Sequence, residues 1–278
     1  MDRTEQRFNA LKAIRTDMTK AEISMDEEAI RWLVDTYYQI QGMRVRVGNQ
    51  IFASTKEEKK AEPCEWMALF HALLQTMEEI CKSALNRYAK SRALGRWAME
   101  VCGIGPVIAA GLLAHIDITK ASAPTKIWRY AGLDPTSKWE KGEKRPWNAA
   151  LRRLCWLIGE SFVKVSGNEK SLYGRLYKQR KEYEIAKNES GEYADQVAER
   201  LERRKTSAEA KTWKEGKLTP GHIHSRSKRF AVKLFLAHYH AAAMYLELGQ
   251  QAPEPFAIAH LGHVDVIDPE LPFEAFKE

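Results

Sequence analysis

Apolar residues recur at helical spacing along most of the chain, and this repeat predicts its elements. Between residue 1 and about 47, the positions Ile30, Leu33, Val34, Tyr37, Tyr38 and Ile40 share one face of a helix. Ser24 is the expected N-cap, and Asp26, Glu27 and Glu28 would place negative charge against the positive end of the helix dipole. Gly48-Asn49-Gln50 is expected to interrupt this helix, and the charged run over 55–60 before Pro63 reads as a solvated connection. A second helix, from about Glu65 to Tyr88, repeats Met67, Phe70, Leu74, Met77, Ile80, Cys81 and Leu85. Two such stripes predict an antiparallel pair.

Further on, the segment from Trp147 to Ser166 carries Leu151, Leu154, Trp156, Leu157 and Phe162 and reads as a deeply buried helix. The highly charged stretch over 171–204, with Tyr173, Tyr177 and Tyr183 about a turn apart, is expected to project as a helical arm. A last strong helix is expected over about Ser225 to Leu248, and Pro253, Pro255, Pro269 and Pro272 mark an irregular tail. Period-two alternation is nearly absent apart from a trace at Arg44-Val45-Arg46-Val47. The expected class is all-α: a helical bundle with a central helix-hairpin-helix and a projecting charged arm. Four regions follow: 1–92 helical, 93–168 carrying the hairpin, 169–215 the arm, and 216–278 the final helix and tail.

The hairpin is the most informative stretch. Trp97-Ala98-Met99-Glu100-Val101 runs into Cys102-Gly103-Ile104-Gly105-Pro106, and Val107-Ile108-Ala109-Ala110 restarts a helix. Such a reversal needs glycine where the backbone enters a region costly for other residues. Pro106 suits a first helical turn, where its missing N–H costs nothing. Ile104 can plug the space between the helices. With the amides of Gly103, Ile104 and Gly105 open at a helix N-terminus, the corner is suited to one DNA phosphate, with Val107 beside it. The alternative is a tight turn used only for packing, with its amides buried.

Composition adds a location for charge. The chain of 278 residues has a net charge of +7, and its positive excess lies mostly between residues 120 and 187, where Lys and Arg outnumber Asp and Glu about twofold. A basic surface of this kind releases counterions from polyphosphate, so binding falls steeply with salt. The candidate contacts are Lys120, Lys126, Arg129, Lys138, Lys141, Lys144, Arg145, Arg152 and Arg153. Trp139 and Trp147 interleave with these cations and could stack on bases or straddle a groove. Arg226, Lys228, Arg229 and Lys233 suggest a second basic surface. The four scattered cysteines fit reduced thiols in a cytoplasm, and no stretch approaches the roughly 20 apolar residues of a membrane span. Histidines 222, 224, 238, 240, 260 and 263 invite a zinc reading, but pairs two apart on a helix point in different directions, which favours core or surface roles.

The hairpin, then Ile127-Trp128-Arg129-Tyr130-Ala131-Gly132-Leu133-Asp134-Pro135, then Trp147-Asn148-Ala149-Ala150-Leu151-Arg152-Arg153, follow one another in an order that resembles a known family. The stretch from about Val101 to Glu160 is similar to the carboxy-terminal domain of insertion sequence one-ten transposases, related to Piv DNA invertases. That resemblance implies DNA strand exchange, with metal-binding carboxylates in a RuvC-like first domain and a serine nucleophile in the second. The first hundred residues here read as helices without aspartate-bearing strands, and the family's serine-glycine pair is replaced by Thr136-Ser137-Lys138. Ser137 is the nearest hydroxyl.

Three readings stay open from sequence. The first is a cytoplasmic transposase-related protein, of a mobile element, virus or host, that grips duplex DNA without strong sequence preference and needs no cofactor. The second is an active recombinase using Ser137, or divalent metal on carboxylates such as Asp117, Asp134, Glu140 and Glu160. The third is an assembly protein, homo-oligomeric or holding structured RNA through the charged arm.

Overall fold

The computed structural model describes residues 16–18, 25–54, 64–203, 209–253, 267–269 and 271–277. Among them every regular element is helical. Ser24, the 55–60 run, Pro63, Arg204, Pro255, His260 and His263 lie outside the described residues. The chain forms two compact units, the first comprising Met1–Arg96 with Gly105–Asp117, the second Trp97–Ile104 with Ile118–Glu278. The division differs from the four consecutive regions expected, because the hairpin contributes segments to both.

In the first unit, α1 (Glu27–Ser54) and α2 (Glu65–Lys90) pack along each other. Their pairing is antiparallel: Glu27 meets Arg92, Glu78 meets Tyr37, Gln41 and Arg44, and Gly48 faces His71. Asp26 caps α1, its carboxylate accepting the Ala29 N–H at 2.8 Å. The expected interruption at Gly48-Asn49-Gln50 does not occur, and α1 continues to Ser54. A β-carbon on Gly48 would lie 3.3 Å from His71 Nε2, so the glycine lets the neighbouring helix approach. Tertiary packing thereby outweighs a helix penalty of about 1 kcal/mol. On α2 the expected stripe is buried at Leu74, Cys81 and Leu85, while Met77 falls at its edge and is exposed. Helix α4 (Pro106–His115), apolar on every side, packs against both members of the pair, and Arg31 Nη1 donates to the Ala114 carbonyl at 2.6 Å.

The second unit is organised around α10 (Pro220–Leu248), on which α5 (Pro124–Tyr130), α6 (Ala149–Lys164) and α7 (Leu172–Glu189) all pack. Its start lies five residues ahead of the expected Ser225, at a capping pair that fixes it. The Thr219 side chain accepts the His222 N–H, and Pro220 occupies the first turn. Gly249, with φ 65°, ends the helix in the left-handed conformation. Trp97, which lies in α3 (Ala93–Glu100), stacks with Phe235, and Phe162 and Tyr173 meet the same Phe235 ring edge-on at 5.6 and 5.3 Å. Part of the tail is ordered as well, with Phe273 lying edge-on to Trp97 at 5.8 Å.

The expected projecting arm is instead docked. Tyr173, Tyr177, Glu184 and Asn188 of α7 are buried, and Asn188 clamps Leu218 through both its side-chain amide and its carbonyl. The charged look of the segment misleads because its buried face is itself polar. Beyond it, α8 (Ala194–Arg203) and α9 (Ala210–Lys214) close a small core of Val197, Trp213, Leu218 and Ile223.

The histidines act as pins. His238 Nε2 donates to the Ile267 carbonyl at 2.7 Å, so Nδ1 accepts from the Tyr173 hydroxyl at 2.8 Å. His240 Nε2 donates to the Ala121 carbonyl at 2.7 Å. Burial lowers the pKa of both. His115 falls to about 4, chiefly by burial and then through Arg31, and His222 to about 4 by burial and then Arg200, Arg229 and Arg226. Protons thus bind the unfolded chain first. The stability these groups contribute is complete above about pH 6.5 and is lost as the pH falls towards 4. Melting temperature is expected to drop already between about pH 6.5 and 5, before most carboxylates protonate. A flat profile over that interval in thermal melts would contradict the assignment.

Candidate nucleic-acid interface

At the hairpin, the two glycines do different work. Gly103 has φ 99°, and a β-carbon there would sit 3.1 Å from Val165 Cγ2 and 3.3 Å from Phe162 Cδ1. Ser161 Oγ donates to its carbonyl at 2.5 Å. Gly105, the N-cap of α4, is exposed, and a β-carbon on it would meet nothing within 4 Å. Its N–H makes no main-chain hydrogen bond among the described residues. The expectation of three open amides is corrected at Ile104, whose N–H is given to the Val101 carbonyl at 2.9 Å and whose side chain is buried. Val107 is likewise buried and packs rather than touching a ligand.

Within the second unit, the residues after α5 form a loop tied at both ends. Asn148 donates its main-chain N–H to the Tyr130 carbonyl at 2.8 Å and its side-chain amide to the Tyr130 hydroxyl at 2.9 Å. The Asn148 side-chain oxygen then accepts the Leu151 N–H and caps α6. Gly132, at φ 67°, turns the chain directly under the Trp147 indole. The indoles pair with each other and with arginines: Trp139 lies edge-on to Trp147 at 6.3 Å, Arg145 sits 5.3 Å over Trp139, and Arg152 4.7 Å over Trp147. Trp139 also donates to the Glu143 carbonyl. These rings therefore stiffen the loop, while Lys138, Lys141 and Lys144 stand exposed on it. Lys120, Lys126, Arg129, Arg145, Arg152 and Arg153 are exposed too.

Ser137 is half-buried, and its N–H donates to the Asp134 carbonyl at 3.3 Å. Asp134 is occupied locally, accepting from the Thr136 N–H and hydroxyl, which hold its carboxyl below the usual range. Glu160 pairs with Lys228. No three His, Cys, Asp or Glu side chains among the described residues lie together as a metal site. No described helix is long and apolar enough to cross a membrane.

The chain matches no family model, no curated protein and no solved structure.

A second basic region runs along α10. Arg226, Arg229 and Lys233 recur every three or four residues on one side, one turn beyond the His222 imidazole. Glu184, with 1% side-chain exposure, accepts from Arg180 at 2.7 Å, Arg226 at 2.8 Å and the Tyr193 hydroxyl at 2.5 Å. Burial opposes its ionisation, but these hydrogen bonds outweigh it and hold the carboxyl below the ordinary value. Arg229, by contrast, has no carboxylate partner among the described residues. Partial desolvation and the neighbouring Arg226, Arg152 and Arg200 pull its pKa down. The sequence discloses Arg226, Lys228, Arg229 and Lys233 as one basic segment, of which Lys228 is taken up by Glu160. The buried Glu184 and the exposure of Trp156, at 58%, were not foreseen; both depend on which helix covers which.

Two substitutions test this construction. Gly132→Ala would place a β-carbon 2.8 Å from Trp147 Cγ at a positive φ, and an expected loss of about 2 kcal/mol or more should appear in urea unfolding. Gly142→Ala, also at positive φ but in open space, should cost visibly less. Glu184→Ala leaves Arg226 without its buried acceptor and should cost about 3–5 kcal/mol. Equal effects of the two glycine changes, or a neutral Glu184→Ala, would show the packing to be misassigned.

Proposed function

We propose that this protein binds double-stranded DNA through its phosphates, with little sequence preference, as a transposase-related factor. The observation carrying the reading is the tied loop of the second unit, which holds Lys138, Lys141 and Lys144 in solvent while its indoles are engaged internally. A stiffened loop presents cations at smaller entropic cost than a free one. The open Gly105 at the start of α4 supplies a backbone donor of the kind that suits a phosphate oxygen. The likeness of residues 101–160 to transposase carboxy-terminal domains supports DNA over other polyanions. Binding alone is proposed, since the Asp134 carboxylate is held by Thr136 and that of Glu160 by Lys228, and no three metal-binding side chains among the described residues lie together.

The test is anisotropy with unrelated blunt duplexes from about 50 to 200 mM salt. Log affinity is expected to fall linearly with log salt. Exchanging Lys138, Lys141 and Lys144 for Gln should flatten that slope by roughly two to three. Gly105→Val should weaken binding of every duplex while the circular dichroism spectrum stays the same. Folded protein that binds no duplex at the lowest salt, or that binds with no salt dependence, would refute the reading.

A further inference from the structure

Between α6 and α10, inside the second unit, lies a cleft of about 180 Å³. Gly159 lies in its floor, where a β-carbon would come into van der Waals contact with Val232 Cγ2 at 3.4 Å and Lys228 Cβ at 3.5 Å, so α6 and α10 run close there. Cys155, Gly159 and Val232 form a buried floor. The rim carries Arg152 and Trp156 from α6 and Lys228 and Arg229 from α10.

The rim chemistry is uneven. Lys228 is neutralised by Glu160 and lies 5.5 Å from the centre of the Trp156 ring. Arg152 and Arg229 have no carboxylate partner among the described residues, and each repels the other across the cleft. Two unneutralised guanidiniums on one mouth are costly without an anion and favourable with one. Their forked donors match phosphate oxygens. Beside them the Trp156 indole is 58% exposed on an otherwise well-packed helix, a large apolar face left in water. A π-surface on the same rim as two guanidiniums is an arrangement suited to receiving a base and its phosphate together.

We propose that the α6–α10 cleft is a nucleotide subsite in which Arg152 and Arg229 hold a phosphate and the exposed face of Trp156 stacks an unpaired base. The inference rests on the DNA reading for the identity of its ligand and deepens it: the protein would favour duplexes carrying an unpaired or splayed nucleotide over fully paired ones. Stacking is tolerant of base identity, so the preference is for structure rather than sequence.

Two measurements separate this site from DNA binding in general. In the first, thymidine monophosphate is titrated into the full chain and tryptophan fluorescence is followed. Quenching is expected for the wild type and not for Trp156→Phe. In the second, anisotropy compares a blunt duplex with the same duplex carrying one unpaired thymine. The unpaired base is expected to tighten binding about fivefold or more, a ratio that Trp156→Ala should bring close to one. Arg152→Gln and Arg229→Gln should each flatten the salt slope by about one. Retention of the ratio in Trp156→Ala, or unchanged slopes in both arginine variants, overturns the subsite while leaving DNA binding standing. Quenching by the mononucleotide with no duplex binding overturns the DNA reading and keeps the cleft as a nucleotide site. Absence of both signals overturns both.

Discussion

The second unit depends on one aromatic contact set. Phe235, fully buried near the middle of α10, is met by Trp97, Phe162, Tyr173 and Tyr239. Trp97, Phe162 and Tyr173 come from α3, α6 and α7, and Tyr239 from α10 itself, so a single side chain fixes three segments of the sequence against one helix. Large rings bury much area per residue and hold defined edge-on or stacked geometries, which makes such a cluster both stabilising and specific. Once Phe162 and Tyr173 are set, the polar faces of α6 and α7 have no remaining freedom. Arg152 and Trp156 are turned towards the cleft by the same rotation that buries Leu151, Leu154 and Phe162.

Polar groups buried beside that cluster convert packing into registration. His238 joins Tyr173 to the Ile267 carbonyl, His240 reaches the Ala121 carbonyl, and Asn188 clips α7 to Leu218. None of these bonds adds much over water, since each replaces hydration with an equivalent partner. Breaking one is another matter, because it strands a buried donor or acceptor. The alternation of His238 and His240 on α10 sends two imidazoles in different directions, which is why they serve as separate pins rather than as paired ligands.

Much of this architecture is legible in the apolar repeat. The α1–α2 pair and the apolar faces of α6 and α10 follow from spacing alone, as does the all-helical class. What escapes reading has identifiable causes. Gly48 suggests a break because propensity is local, whereas its helix is kept by close approach to His71. The charge of α7 suggests an arm because a buried polar face, built on Glu184 and Asn188, has no apolar signature. Trp156 reads as core from its residue type, yet stands in solvent because α10 covers Cys155 and Gly159 instead. At the candidate site, the exposed cations were visible individually. Which of them would be neutralised was not, since pairing is decided between distant segments.

That pairing governs what the charge can do. The chain's net +7 is a sum, and a sum does not bind a strand. Glu184 absorbs Arg180 and Arg226, Glu160 absorbs Lys228, and these cations become part of the scaffold. Arg229, one turn from Arg226 on the same helix, forms no ion pair of its own, and the repulsion of Arg226, Arg152 and Arg200 stands against only a weaker pull from Glu184. The fold thus uses Glu184 and Glu160 to hold α7 and α6 to α10, and Arg152 and Arg229 are left without an ion pair at the mouth of the furrow, apart from the exposed lysines of the loop after α5. Position of the acids, rather than abundance of the bases, is therefore what selects the surface on which an anion would be welcome.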